Sequence, residues 1–230
     1  MGHSPAIYGQ TLAQIHSDGY ARTYWAGYGA LCDQISGPKA RLFDIGCGDG
    51  TWLSFAADRG IPGSGCDQSP AFVQTAQSHG CDVVLATGAN ANIPEDTTAV
   101  TALGEVLCYH KQGYPPDLDD VLAMVANMPT VTFLAFDLIG PTVKPRSVSS
   151  AEGAARMSFH TRIEGSTMIR EIETVLDGHT DIEIHYQRIM DPQDVKEQVE
   201  RSGFSCTIAT HYGPCPLLPG RFAVLAQRKG

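Results

Sequence analysis

The chain is short of positive charge: 16 Lys and Arg stand against 25 Asp and Glu, a formal net charge of −9. Nucleic-acid binders need a basic field to neutralise phosphates, so DNA and RNA partners are not expected. Long apolar runs are also missing, which removes a membrane-spanning helix and a membrane partner from the expectation. The N-terminus lacks the basic and apolar stretches of a secretory leader. Its seven cysteines (Cys32, Cys47, Cys66, Cys81, Cys108, Cys206 and Cys215) form an odd set without a CxxC pair. That usage reads as a reduced, cytoplasmic protein. Only Cys206, His211 and Cys215 come close together in sequence, too thin a cluster for zinc, so no metal is expected.

What is present is ordinary for a folded domain: 230 residues, 43 % hydrophobic and 18 % charged, enough for one sizeable core carrying an insertion. Strand-like apolar runs near 40–46, 63–67, 82–87, 99–105 and 131–137 alternate with helical stretches, the pattern of a parallel sheet covered on both faces. Ser69 before Pro70, and Asp191 before Pro192, are helix starts, with Gly80 and Gly203 as stops. After residue 140 the period changes to two over 155–163, 166–175 and 181–189, which suggests a small inserted antiparallel sheet. In its last segment Ile182, Ile184 and Tyr186 share one face, and Glu183, His185 and Gln187 the other. The resulting division is an N-terminal helical cap over 1–36, a core over 37–140 and 190–230, and an inserted β lid over 141–189.

The stretch FDIGCGDGTW (43–52) places Gly46, Gly48 and Gly50 where an apolar strand turns into a helix. Bare backbone there lets a nucleotide-like ligand approach closely. A dinucleotide loop asks for GxGxxG with an acid about 20 residues onward, whereas here the third glycine comes one residue early. GxGxG suits a ligand whose amino-acid moiety, rather than a pyrophosphate, meets the loop.

That loop, GCDQS (65–69) closing the second strand and AVTALGEVLCYH (99–110) together resemble the class I S-adenosylmethionine-dependent methyltransferases of small molecules. The resemblance implies a doubly wound, seven-stranded, mostly parallel sheet with the last strand antiparallel and helices on both faces. It implies S-adenosylmethionine as cofactor, with Asp44, Gly46, Cys47, Gly48 and Gly50 along its methionine end. Asp67, beside Gln68, takes the ribose hydroxyls, a role a carboxylate fills with two accepted hydrogen bonds. The family often places Asp after the third strand, but Ala89 stands here, which leaves adenine to backbone or to Asn90. Gly104 and Glu105 match the family's fourth motif, facing the methyl group and substrate. The N-terminal segment resembles the helical cap of small-molecule members, with Tyr8, Tyr20, Tyr24 and Trp25 shielding the site.

Methyl transfer from a sulfonium is an in-line displacement, so the protein chiefly aligns donor and acceptor and excludes water. A base is needed only where the acceptor must lose a proton; Glu105 and His110 are the catalytic candidates at the fourth-strand end. Tyr20, Tyr109, His160, His185 and Gln187 are the acceptor-binding candidates, while Arg188 alternates away from His185 and Gln187. A lid arginine would suit a carboxylate-bearing acceptor. Two other readings stay open: a catalytically inactive S-adenosylmethionine-binding regulator, and a nicotinamide-dependent oxidoreductase. The residues do not specify the acceptor atom or the oligomeric state.

Overall fold

The computed structural model describes residues 8–19, 25–35, 37–110, 118–152 and 155–230. Two helices open it, α1 (Gln10–Gly19) and α2 (Trp25–Ile35). Then β1 (Leu42–Ile45), β2 (Gly63–Asp67), β3 (Asp82–Leu85), β4 (Ala99–Ala102) and β5 (Phe133–Ile139) alternate with α3 (Thr51–Ala57), α4 (Pro70–Ser78) and α5 (Leu118–Ala126). The chain closes with α6 (Pro192–Arg201), two strands of the main sheet at Phe204–Ala209 and Arg221–Arg228, and a small hairpin between them. The seven-stranded sheet runs, in space, Phe204–Ala209, Arg221–Arg228, β5, β4, β1, β2, β3. Arg221–Arg228 alone runs opposite to the other six strands.

The central strands read as apolar runs because both faces are covered; all of β1, β4 and β5 is buried. One face packs Phe43, Val100, Leu134 and Phe136 under α5 and α6. The other packs Leu42, Phe133 and Ala135 under α2 and α3. Both expected helix starts have the bonding that makes them starts: Ser69 Oγ accepts from Phe72 N, and Asp191 from Gln193 N and Asp194 N, with proline opening each helix. No helix among the described residues is long and apolar enough to cross a membrane.

The insertion holds four antiparallel strands in simple order, β6 (Arg146–Glu152), β7 (Ala155–Glu164), β8 (Thr167–Leu176) and β9 (His179–Arg188). Three were expected from the alternating pattern; β6, sequence RSVSSAE, has too few apolar residues to show that period. The N-terminal helices also divide. Tyr28, Leu31 and Ile35 of α2 are part of the core beneath the sheet, whereas α1 lies against α4 and β8. Tyr20 and Tyr24 fall outside the described residues.

Candidate active site

The carboxyl ends of β1, β2 and β4 meet at one cavity, the place where ligands bind in open α/β sheets. The glycine loop leaves β1 with Gly46, Gly48 and Gly50 at φ of +70°, +55° and +80°, values that favour glycine. Their roles differ. A Cβ on Gly50 would lie 2.6 Å from Cys81 Sγ, and one on Gly46 2.6 Å from Val106 Cγ2. A Cβ on Gly48 would meet nothing within 4 Å, because that residue fronts the cavity. Gly46 and Cys47 line the cavity too, but Gly50 does not: it seats α3 against the start of β3.

Asp67 ends β2 with its carboxylate buried beside the loop. Oδ2 accepts from Gly48 N at 2.9 Å and Oδ1 from Ser69 N at 2.8 Å. Burial raises its pKa, partly offset by these backbone donors. The carboxylate keeps lone-pair capacity for a ligand hydroxyl. Gln68 lines the same wall. Beyond β3 the lining comes from Ala86, Thr87 and Gly88. Asn90 closes a tight 3-10 turn onto Thr87 O and is exposed, so that turn carries it away from the lining. Ala89 lies in the same turn.

Asp44 sits buried beneath the loop. Its pKa is pushed up to about 8 by burial, against the hydrogen bond from Thr101 and with Asp67 and Asp137 adding repulsion. Trp52 Nε1 donates to Thr101 Oγ1 at 3.0 Å, and that hydroxyl donates to Asp44 Oδ1. Thr101 thus joins a cavity-lining indole to a buried acid.

After β4 the chain turns through Gly104 (φ +85°) and Glu105 (φ +65°). The second is a left-handed conformation that costs a non-glycine residue and needs support. Asp137, buried at the end of β5, supplies it: Oδ2 accepts from Gly104 N and Oδ1 from Glu105 N, both at 2.9 Å. Tyr212 Oη donates to the same carboxylate at 3.1 Å. Burial lifts the Asp137 pKa to about 6, with the backbone donors pulling the other way.

The Glu105 side chain is held from three directions. Arg221 Nε donates to Oε1 at 2.5 Å, while Arg170 Nη2 of β8 and Gln187 Nε2 of β9 each donate to Oε2 at 3.1 Å. Burial alone would raise its pKa; the two guanidiniums outweigh burial and hold it at about 2. A carboxylate so committed is a poor proton acceptor near neutrality. Its geometry instead fastens the inserted sheet to the core at the cavity wall.

The inward face of β9 continues this polar wall. His185 and Gln187 are each 1 % exposed, and Glu183 is buried beside them. Tyr109 Oη meets His185 Nδ1 at 3.2 Å, and His185 Nε2 lies 2.9 Å from Glu183 Oε2. A ring with Nε2 donating to Glu183 and Nδ1 accepting from Tyr109 satisfies both contacts. Glu183 also accepts from Tyr8 N and Gly9 N at 2.8 Å, and Ser69 Oγ donates to Tyr8 O at 2.7 Å. The segment before α1 is thereby strapped to both the inserted sheet and the core. His16 of α1 lines the cavity, and burial drives its pKa down to about 4 against the pull of Asp49.

The structure therefore brings Asp44, Gly46, Cys47, Gly48, Asp67, Gln68, Gly104, Glu105 and Tyr109 to one cavity. His185 and Gln187 stand directly behind that wall. His110 and His160 are not brought there. His110 is exposed, with Nε2 3.3 Å from Thr167 Oγ1. His160 is on the outward face of β7, 2.7 Å from Ser147 Oγ, because strand alternation sends it opposite to Phe159 and Thr161. Sequence reasoning missed Thr101, Asp137, Arg170 and Arg221. For Asp137 and Arg221 a signal existed: a charge inside an apolar run (AFDLIG, GRFAV) must find a partner.

The strand order, the antiparallel strand beside β5 and the glycine loop at the end of β1 define the class I, Rossmann-like methyltransferase fold. No protein-family model and no curated sequence matches the chain. Solved structures do. The CcbJ methyltransferase of Streptomyces caelestis is similar over 99 % of this chain and 100 % of its own, with a TM-score of 0.77 and 12 % identity. A S-adenosylmethionine-dependent methyltransferase from Clostridium acetobutylicum matches 94 % of this chain and 95 % of its own, with a TM-score of 0.73 and 15 % identity. CalS10 of Micromonospora echinaspora, an amino pentose methyltransferase solved with S-adenosylmethionine bound, matches 99 % of this chain and 100 % of its own, with a TM-score of 0.72 and 17 % identity.

Proposed function

We propose that the chain transfers a methyl group from S-adenosylmethionine to a small-molecule acceptor held under the inserted sheet. The observation that carries this reading is the pairing of Gly48, open to the cavity, with the Asp67 carboxylate that its own amide contacts. Backbone and acid face one space, as a nucleoside bearing an amino-acid tail requires. The similar solved structures are methyltransferases, which supports the same reading.

In this reading Asp67 takes the ribose hydroxyls, the Gly46–Gly48 backbone and Asp44 meet the methionine end, and Thr87–Gly88 border the base. S-adenosylmethionine supplies an electrophilic methyl group carried on a sulfonium. Asp137 fixes Gly104 and Glu105 in their left-handed turn, which shapes the wall where donor and acceptor meet. Tyr8, His16 and Tyr109 exclude water from that meeting point. Tyr109, backed by His185 and Glu183, is the polar group placed to orient an acceptor; burial raises the pKa of its phenol and keeps it a neutral donor.

Incubation with S-adenosylmethionine deuterated at the methyl group, together with a panel of small amines, phenols and carboxylic acids, tests the reading. S-adenosylhomocysteine release with a labelled product is the expected result. Cofactor binding with no transfer to any acceptor, including a small-molecule extract, would favour a binding protein instead.

A further inference from the structure

A second, larger cavity lies under the inserted sheet, between its inward face and α1, and encloses about 500 Å³. That is within the range of small-molecule sites. Its walls are mostly apolar, with Leu12 and Ile15 of α1 facing Phe159, Ile172 and Leu176 of the sheet. It adjoins the first cavity, because Tyr8, His16 and Arg170 line both.

The charge of the lining opposes that of the chain. In a protein of net charge −9, the described residues that line this cavity include Arg146, Arg156 and Arg170 and no Asp or Glu. The three arginines are not equivalent. Arg170 is committed to Glu105. Arg156 is exposed to solvent, where an ion pair is worth little. Arg146 is half-buried, makes no ion pair among the described residues, and holds its guanidinium carbon 5.2 Å from the Phe159 ring centroid. Register places it on the same face as Phe159: Arg146 pairs with Thr161, two residues along β7. His16 adds no second cation near neutrality, since burial keeps it uncharged. One available guanidinium beside an aromatic ring suits a planar apolar molecule bearing a single negative charge.

We infer that the second cavity binds an amphipathic carboxylate, its ring system against Phe159, Ile172 and Leu12 and its acid group at Arg146. Resting on the methyltransferase reading, this ligand is the methyl acceptor, with its reacting end directed past Arg170 toward Tyr109. A phosphate ester carries up to two charges and is matched less well by one guanidinium.

Calorimetric titration with 2-naphthoate, 2-naphthamide and 2-naphthyl phosphate tests the inference on the full chain. The acid is expected to bind at least about tenfold tighter than the amide and tighter than the phosphate. Arg146→Gln should bring the acid to within about threefold of the amide while leaving the amide unchanged, and Arg146→Lys should keep most of the preference. Phe159→Ala should weaken acid and amide alike. Equal affinity for acid and amide, preference for the phosphate, no binding of any probe, or a preference that survives Arg146→Gln would each overturn it. S-adenosylhomocysteine titrated separately into the same proteins reads the first cavity. Its binding without naphthoate overturns this inference alone; naphthoate binding without it overturns the methyltransferase reading and with it the acceptor role, while the carboxylate site stands.

Discussion

Two sheets wall the candidate site, and they bury different kinds of side chain. In β5 of the parallel sheet every residue is buried, and Asp137 is the one charge among Phe133, Leu134, Ala135, Phe136, Leu138 and Ile139. In β9 of the inserted sheet the buried positions are Glu183, His185 and Gln187, while Ile182 on the opposite face is 49 % exposed. The parallel sheet is held by apolar burial, which is non-directional. At β9 the inserted sheet is instead fastened by directed contacts, Gln187 and Arg170 onto Glu105, His185 onto Tyr109, and Glu183 onto the Tyr8 and Gly9 amides. Buried polar groups are stable only when their partners are in place. A polar inward face therefore marks a strand whose role is to build a site and to fix its position.

If that contrast is right, Glu105→Ala is the most damaging single change. It leaves Arg170 and Arg221 partly or fully buried without their anion, which costs on the order of 3–5 kcal/mol in urea unfolding. Acid should act in the same place. Because the folded pKa of Glu105 is depressed from 4.5 to about 2, its contribution to stability is present above about pH 4.5 and is lost as pH falls toward 2. Loss of the inserted sheet's hydrogen-exchange protection before that of β5 in that window would confirm it; simultaneous loss would count against it.

Thr101→Val comes next. It strips Asp44 and Trp52 of their shared hydroxyl in the dry interior, at a cost of about 1–3 kcal/mol, and should lift the Asp44 pKa above its present value near 8. Titration of the Asp44 carboxyl carbon by NMR checks the direction. Tyr109→Phe removes one buried hydrogen bond to His185, for about 1 kcal/mol. Ile182→Thr, on the outward face of the same sheet, should stay within about 0.5 kcal/mol of the parent. A larger loss for Ile182→Thr than for Tyr109→Phe would reverse the assigned orientation of β9.

The parallel core was legible because its signals are local. Apolar runs announced β1 to β5, Ser69–Pro70 and Asp191–Pro192 announced two helices, and the early third glycine separated this loop from the dinucleotide pattern. Alternation also gave the shared face of Glu183, His185 and Gln187, yet not its direction, since period two is blind to which face is covered. The fastening of the site was hidden for a different reason. Glu105 meets Arg221 across 116 residues and Arg170 across 65, pairings set by strand order rather than spacing. Of the histidine candidates in the insertion, strand alternation takes His160 outward and His185 inward.

Direct titration of the first cavity tests the central claim, that the glycine loop and Asp67 together hold S-adenosylmethionine. S-adenosylmethionine and S-adenosylhomocysteine should both bind the parent protein, with NAD far weaker. Asp67→Asn, which keeps the side chain's size while removing its charge, should lower both affinities about tenfold to hundredfold, or roughly 1.4–2.7 kcal/mol. Tight NAD binding with neither sulfur ligand bound, or unchanged S-adenosylhomocysteine affinity in a folded Asp67→Asn protein, would contradict the account.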